Sequence, residues 1–170
     1  MDHVAIMRKD WGLIPKILSG EKKIESRWSK NKIAPWDKVK TGDTVYFKNA
    51  GETINVKVRV GEVLQFDNLN PDRVRGLLYK WGGKDGIAAA DLEKIVEWVR
   101  DKKYCVLVFL DNPERIEPFQ IKKTGFGNGA AWLCVGEIEK IKYKNSAPRS
   151  GFQVQPRVWG KGGGRQKRRY

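Results

Sequence analysis

Apolar and polar residues alternate along much of this chain, and the places where the period changes mark out its elements. Val4 and Ile6 share one face of a strand running from His3 to Met7. Leu13, Ile14, Ile17 and Leu18 then fall at helical spacing, with Pro15 tolerable only in the first turn and Asp10 available as a cap. Gly20 stands where that helix would end. From Lys23 the period becomes two: Ile24, Ser26 and Trp28 face one way, Lys23, Glu25 and Arg27 the other. Lys22 leaves the bend beside them in a direction the period does not fix. The stretch from Trp28 to Trp36, polar and broken by Pro35, reads as an exposed loop, with Trp28 still in strand phase and capping the core.

Lys40-Thr41-Gly42-Asp43 is a turn, after which Val45 and Phe47 alternate. A second turn at 49–52 leads into Ile54, Val56, Val58 and Val60, so the two strands are expected to pair as an antiparallel hairpin that continues past a bend at Gly61 to Phe66. Asn70 as cap and Pro71 at the first position start a helix with Val74, Leu77 and Leu78 as its stripe and Gly82-Gly83 as its stop. A second helix is expected from about Ile87 to Lys102, with Ala88, Leu92, Ile95, Val96 and Val99 on one face. Asp85, in the loop between them, can cap it. Tyr104 to Leu110 reads as a central strand and Asp111-Asn112-Pro113 as a turn, with the apolar positions Ile116, Phe119 and Ile121 beyond it. Gly125, Gly127 and Gly129 suggest a hairpin bend before Trp132, a core residue, and the segment from Val135 to Ile141 is expected to close the sheet.

Composition narrows the chemistry. A hydrophobic fraction of 40% over 170 residues supports one folded domain. No apolar run is long enough to span a bilayer and the start carries no secretory pattern, so no membrane association and a cytoplasmic location are expected. Cys105 and Cys134 lie in apolar runs, as buried free thiols do. His3 is the sole histidine, which leaves too few ligands for an ordinary zinc site and no base for a histidine triad. No metal or cofactor is implied. Any reaction must use Lys, Asp, Glu, Tyr, Ser or Thr.

Charge adds a partner class. The formal net charge is +14, and no acidic residue follows Glu139. Ten of the 34 basic residues lie beyond it, leaving 24 against 20 acidic ones. That remaining surplus gathers early, at Lys16, Lys22, Lys23, Arg27, Lys30, Lys32, Lys38 and Lys40. Beyond Tyr143 the chain becomes rich in Gly, Arg and Lys and ends in Arg165, Lys167, Arg168 and Arg169, with Phe152, Val154, Val158 and Trp159 as possible anchors. A segregated basic face and a basic tail suit a polyanion, because neutralised phosphates release counterions.

Three readings of residues 20–27 stay open on spacing alone. Glu25 and Arg27 can form a solvated surface pair. Lys22 and Arg27 can donate, and Glu25 accept, within a ligand pocket. Or burial can turn Lys22 or Glu25 into a proton carrier.

Gly20, Lys22, Glu25 and Arg27 fill every fixed position of GxKxxExR, and the stretch resembles the signature of the ASCH domain, a branch of the PUA-like superfamily. Lys40 to Phe47 is similar to that family's turn and second barrel strand, and the likeness loosens beyond Asn112. The resemblance implies an α+β fold: a PUA-like mixed β-barrel over 1–144, with a short N-terminal helix and a two-helix insert at about 70–102; composition sets off the basic tail at 145–170. It also implies a motif-lined cleft that receives RNA, another single-stranded nucleic acid, or a modified nucleoside; the chain is expected to be a monomer. Lys22, Lys23, Glu25, Arg27, Lys30 and Lys32 would then contact nucleic acid, Trp36 or Phe126 would stack, and Arg165, Lys167, Arg168 and Arg169 would add affinity. Some relatives hydrolyse the amide of acetylated cytidine, and others are associated with RNA cleavage. On that enzymatic alternative the catalytic set would be Lys22, Glu25 and Asp85, although the amide-hydrolysing relatives carry a hydroxyl residue where Glu25 stands. A third alternative is a protein-interaction adaptor.

Overall fold

The computed structural model describes residues 1–143, and six strands among them form one mixed sheet in the order β2-β5-β4-β3-β1-β6. The strands are β1 (Asp2–Met7), β2 (Ile24–Ser29), β3 (Thr44–Asn49), β4 (Ile54–Phe66), β5 (Tyr104–Phe119) and β6 (Trp132–Gly136). Helix α1 (Leu13–Leu18) joins β1 to β2, and α2 (Pro71–Trp81) and α3 (Leu92–Val99) form an insert between β4 and β5. Of these ladders β1–β3 is parallel; β3–β4 is the expected hairpin, and the others are also antiparallel. The architecture is the α+β one expected, a single mixed sheet with a short N-terminal helix and a two-helix insert. The tail residues, including Arg165, Lys167, Arg168 and Arg169, lie outside the described part.

Alternation decides which side chains go inside. Ala5, Met7, Val45, Phe47, Val56, Val58 and Val106 meet beneath α1 in the main core, where Ile14 and Ile17 cover them. The insert packs separately, with Val74 and Leu78 of α2 and Val96 and Val99 of α3 over Ile24, Cys105 and Leu107. Val4, Ile54, Leu133 and Ile138 form a smaller third cluster. Asn70 caps α2 as expected, its Oδ1 accepting from the Arg73 amide at 2.9 Å. Both cysteines are free, and burial raises the thiol pKa of each.

Four expectations fail, each for a local reason. The turn expected at Asp111-Asn112-Pro113 is absent: β5 continues through it because the long β4 offers partners on both sides, Arg59 opposite Asp111 and Lys57 opposite Glu114. Asn112, at φ 50°, absorbs the irregularity inside the strand. The second insert helix is shorter than 87–102: a 3-10 turn at Ala89–Asp91 precedes α3, and Ala88 is extended and exposed. Asp10 does not cap α1; Gly12 holds that position and Asp10 accepts from Arg8 at 2.9 Å. Gly125 to Gly129 makes no hairpin, since Ile121 bridges to Lys142 while β6 pairs with β1.

The sheet also fails to close. Strand β6 ends at Gly136 and residues 138–140 form a 3-10 turn instead of more strand. Among the described residues no ladder joins β2 to β6, so the sheet is a curled half-barrel with an open seam between those two edges.

His3 latches β1 to its neighbours at the core. The Trp132 indole N–H donates to Nδ1 at 3.2 Å, and Nε2 lies 3.1 Å from Asp43 Oδ2. An indole can only donate, so Nδ1 must be unprotonated and Nε2 carries the hydrogen. Burial lowers the imidazole pKa below its ordinary 6.5 despite the nearby Asp43 carboxylate. A base held neutral in the fold contributes stability that is full above its unfolded value and falls as pH drops through 6.5 toward the folded value. NMR titration of His3 should therefore show a midpoint below 6.5 and the Nε2–H tautomer at neutral pH. Urea unfolding should show the matching loss of stability on acidification.

Candidate functional site

The motif begins where α1 ends. Gly20, at φ 76°, turns the chain in a conformation that favours glycine. The next backbone amides find distant acceptors: Lys22 N donates to Lys16 O at 2.9 Å, and Lys23 N and Ile24 N both donate to Lys84 O, at 2.7 and 3.0 Å. These bonds fix the start of β2 to the loop that follows α2. Gly86 in that loop has no side chain to obstruct Lys22, whose Cβ would lie 3.3 Å from any Cβ added there.

Lys22 consequently points inward and is only 3% exposed. Its ammonium donates to Ile24 O at 2.7 Å, to Asp85 O at 2.8 Å and to the Asp85 carboxylate, and lies 3.1 Å from Glu25 Oε2. Burial opposes this charge, but the Glu25 and Asp85 carboxylates outweigh it and raise the Lys22 pKa above its ordinary value. Asp85 is also buried, and the burial raises its pKa against the pull of Lys22. Its second oxygen accepts from Ser26 Oγ at 2.5 Å, and the Trp28 indole donates to that hydroxyl at 3.0 Å. Asp85 is thus no helix cap.

Glu25, 5% exposed, holds the other side. Its Oε1 lies 2.9 Å from Arg27 Nε. The Arg27 guanidinium reaches across the open seam, donating to Ala131 O at 3.2 Å and to Met7 Sδ at 3.5 Å, and stands 5.4 Å from the centre of the Trp132 ring. Two cations and two carboxylates therefore meet in one charge-balanced cluster. The surface-pair reading of this motif does not survive their burial.

A cavity of about 390 Å3 opens beside the cluster. Lys22, Glu25, Ser26, Arg27 and Asp85 form its polar end, and Leu13, Trp28, Ile87, Ile95 and Val99 its apolar walls. Trp11 and Trp98 meet edge to face at 5.5 Å and line both this cavity and a neighbouring hollow of about 600 Å3. That size and mixed lining fit a small ring system.

Four of the sequence candidates come together here, and the rest lie elsewhere. Lys23 is exposed outside the cavity, and Lys30 pairs with Asp101 at 2.5 Å. Lys32 lies over the rings of Trp36 and Tyr104. Trp36 is half-buried against Tyr104 and the main core, and Phe126 packs on the Val4–Ile54 cluster, so neither expected stacking residue lines the cavity. Ser26, Trp11 and Trp98 were not candidates. Ser26 alternates with Ile24 and Trp28, which hides it on an apolar face. Trp98 did leave a signal: a tryptophan, 56% exposed in the fold, off the apolar stripe of an amphipathic helix.

Removing one partner of a buried ion cluster strands the others. Lys22→Met should lower the unfolding free energy by about 3–5 kcal/mol. Adding Asp85→Asn should recover part of it, since Glu25 and Arg27 then remain as a balanced pair. Urea denaturation of the single and double variants measures both.

No family model and no curated relative matches the sequence. Solved structures do. The ASCH protein of Zymomonas mobilis aligns with a TM-score of 0.50 at 13% identity, over 69% of this chain and 71% of that one. A point variant of the same protein aligns at 0.58 and 12% identity, over 82% of this chain and 93% of that one. The N-terminal domain of Staphylothermus marinus McrB aligns at 0.51 and 13% identity, over 79% and 87%. At such identities the likeness speaks for the backbone, and it agrees with the signature at 20–27: the chain has the fold of the ASCH domains.

Proposed function

We propose that this chain binds single-stranded nucleic acid, RNA foremost, and takes one base into the seam cavity. The observation that carries the reading is the cavity itself, base-sized, with a buried polar end and tryptophans at its margin. Trp11 and Trp98 take the stacking role that the sequence suggested for Trp36 or Phe126. Arg8, Lys94 and Lys102 border the two hollows and suit the backbone phosphates. Lys22 has a different part from the one first expected. Its protons are committed inside the protein, so it positions Glu25 and Asp85 and does not meet phosphate. The fold that this chain shares with ASCH structures is compatible with such a module.

Hydrolysis is a second reading, favoured by one contact. Ser26 Oγ donates to an Asp85 carboxylate whose raised pKa makes it a better proton acceptor for a nucleophilic hydroxyl. Lys22 cannot serve as the base on this reading, because its pKa is raised. Incubation with N4-acetylcytidine and with labelled RNA, beside a Ser26→Ala control, tests it; no turnover leaves the binding module.

Two changes separate the pocket from general charge. Trp98→Ala, at an exposed helix position, should weaken RNA binding by about 1–3 kcal/mol. Truncation after Tyr143 removes eight cations and should weaken binding to every sequence while flattening its salt dependence. Anisotropy titrations across a salt series measure both, and identical effects of the two changes on every ligand would eliminate the pocket.

A further inference from the structure

Side chains from both faces of β2 line the same cavity. Ser26 and Trp28 belong to the face that turns to the insert, Glu25 and Arg27 to the opposite one. A hollow reached from both faces of a strand lies off its edge, and here Met7 and Ala131 bound it across the open seam. Register tells what that edge presents, because alternate residues of an antiparallel ladder turn their N–H and C=O to opposite sides. Ser29 O accepts from Lys103 N and Lys23 O from Leu110 N, both at 2.9 Å, so Lys23, Glu25, Arg27 and Ser29 face β5. Ile24 faces away from it: its N–H donates to Lys84 O at 3.0 Å and its C=O accepts from Lys22 Nζ at 2.7 Å. Ser26 and Trp28 therefore turn their main-chain groups into the seam, where no backbone partner meets them among the described residues. The open edge is short, since Lys84 and Lys22 close it at Ile24 and β2 ends at Ser29. That length suits one ring better than an added strand of ordinary size.

Resting on the nucleic-acid reading above, we infer that the main chain of β2 holds the base, whose Watson–Crick edge takes the place of a pairing residue. A base N–H donates to Ser26 O, and the acceptor next to it receives the Ser26 N–H, as two opposed residues exchange bonds in a ladder. Every base carries such a pair: N3–H and O4 of uracil, the N4 amine and N3 of cytosine, the N6 amine and N1 of adenine, N1–H and O6 of guanine. The contact does not choose among the four. It requires that the edge be free, which a base-paired strand cannot offer. The reader is rigid, because Glu25 and Arg27 on either side of Ser26 are fixed in the ladder to β5. The Trp28 indole, tied to Ser26 Oγ at 3.0 Å, is held beside it as an apolar wall.

Short single strands that carry one base among tetrahydrofuran abasic units, titrated against the full chain by fluorescence anisotropy, test this. A strand with one uridine should bind more tightly than the wholly abasic strand. N3-methyluridine, which blocks the donor, should bind roughly tenfold more weakly than uridine, the worth of one hydrogen bond. 5-Methyluridine, with the same added volume on the other edge, should bind as uridine does. In the protein, Ser26→Pro removes the edge N–H at a position where a free strand edge tolerates proline. It should bind the uridine strand roughly tenfold more weakly than Ser26→Ala, which shares the loss of the hydroxyl. N3-methyluridine binding as well as uridine, or the proline variant as well as the alanine one, overturns the main-chain contact and leaves the base pocket standing. A uridine strand that binds no better than the abasic one removes the pocket itself, and the contact with it.

Discussion

An ammonium group inside a protein must be given replacements for its hydration shell, and that requirement on Lys22 organises this structure. No single element can meet it. The Ile24 carbonyl and the Glu25 carboxylate come from β2, and the Asp85 carbonyl and carboxylate from the loop after α2. Satisfying one charge therefore fixes these two parts of the chain relative to one another. The insert is held against β2, and the space left between them becomes the cavity.

The open seam is the second constraint. A closed barrel would fill its interior with side chains, whereas an open edge leaves room beside it. Here the two edge strands are spanned by one side chain. Arg27 runs from β2 to the Ala131 carbonyl, which also accepts from the Ile6 amide of β1 at 2.9 Å. The guanidinium thus substitutes for ladder bonds at the margin while its Nε faces Glu25. A lysine could not do both, because the task needs a fork of donors at fixed angles.

Together these features define the chemistry of the site. The cluster is neutral overall, so on the proposed nucleic-acid reading it would attract phosphate weakly and discriminate by hydrogen-bond pattern instead. Long-range attraction would then fall to the basic residues outside it, in the cavity margin and the tail. On that reading recognition and attraction would be carried by different parts of the chain. The raised pKa of Lys22 fits this division, keeping the charge constant across the physiological range.

The elements that could be read from the sequence were those set by local forces. Periodicity gave β1, the β3–β4 hairpin, α1 and α2 because side-chain alternation and the Asn70 and Pro71 signals act within a few residues. The four motif positions were legible as a pattern, and the strand period placed Glu25 and Arg27 on one face. What residues far apart do to each other was not legible. Strand β5 runs through Asn112-Pro113 because β4 is there to pair with it, and no local signal states the length of a partner. Trp36, surrounded by cations, was claimed by the core, while Trp11 and Trp98 were brought to the cavity from places 87 residues apart. Lys22 could have faced water as far as its own segment was concerned. Only the arrival of Asp85 from 63 residues away turned it inward, since a charge is buried when distant partners replace its water and not before.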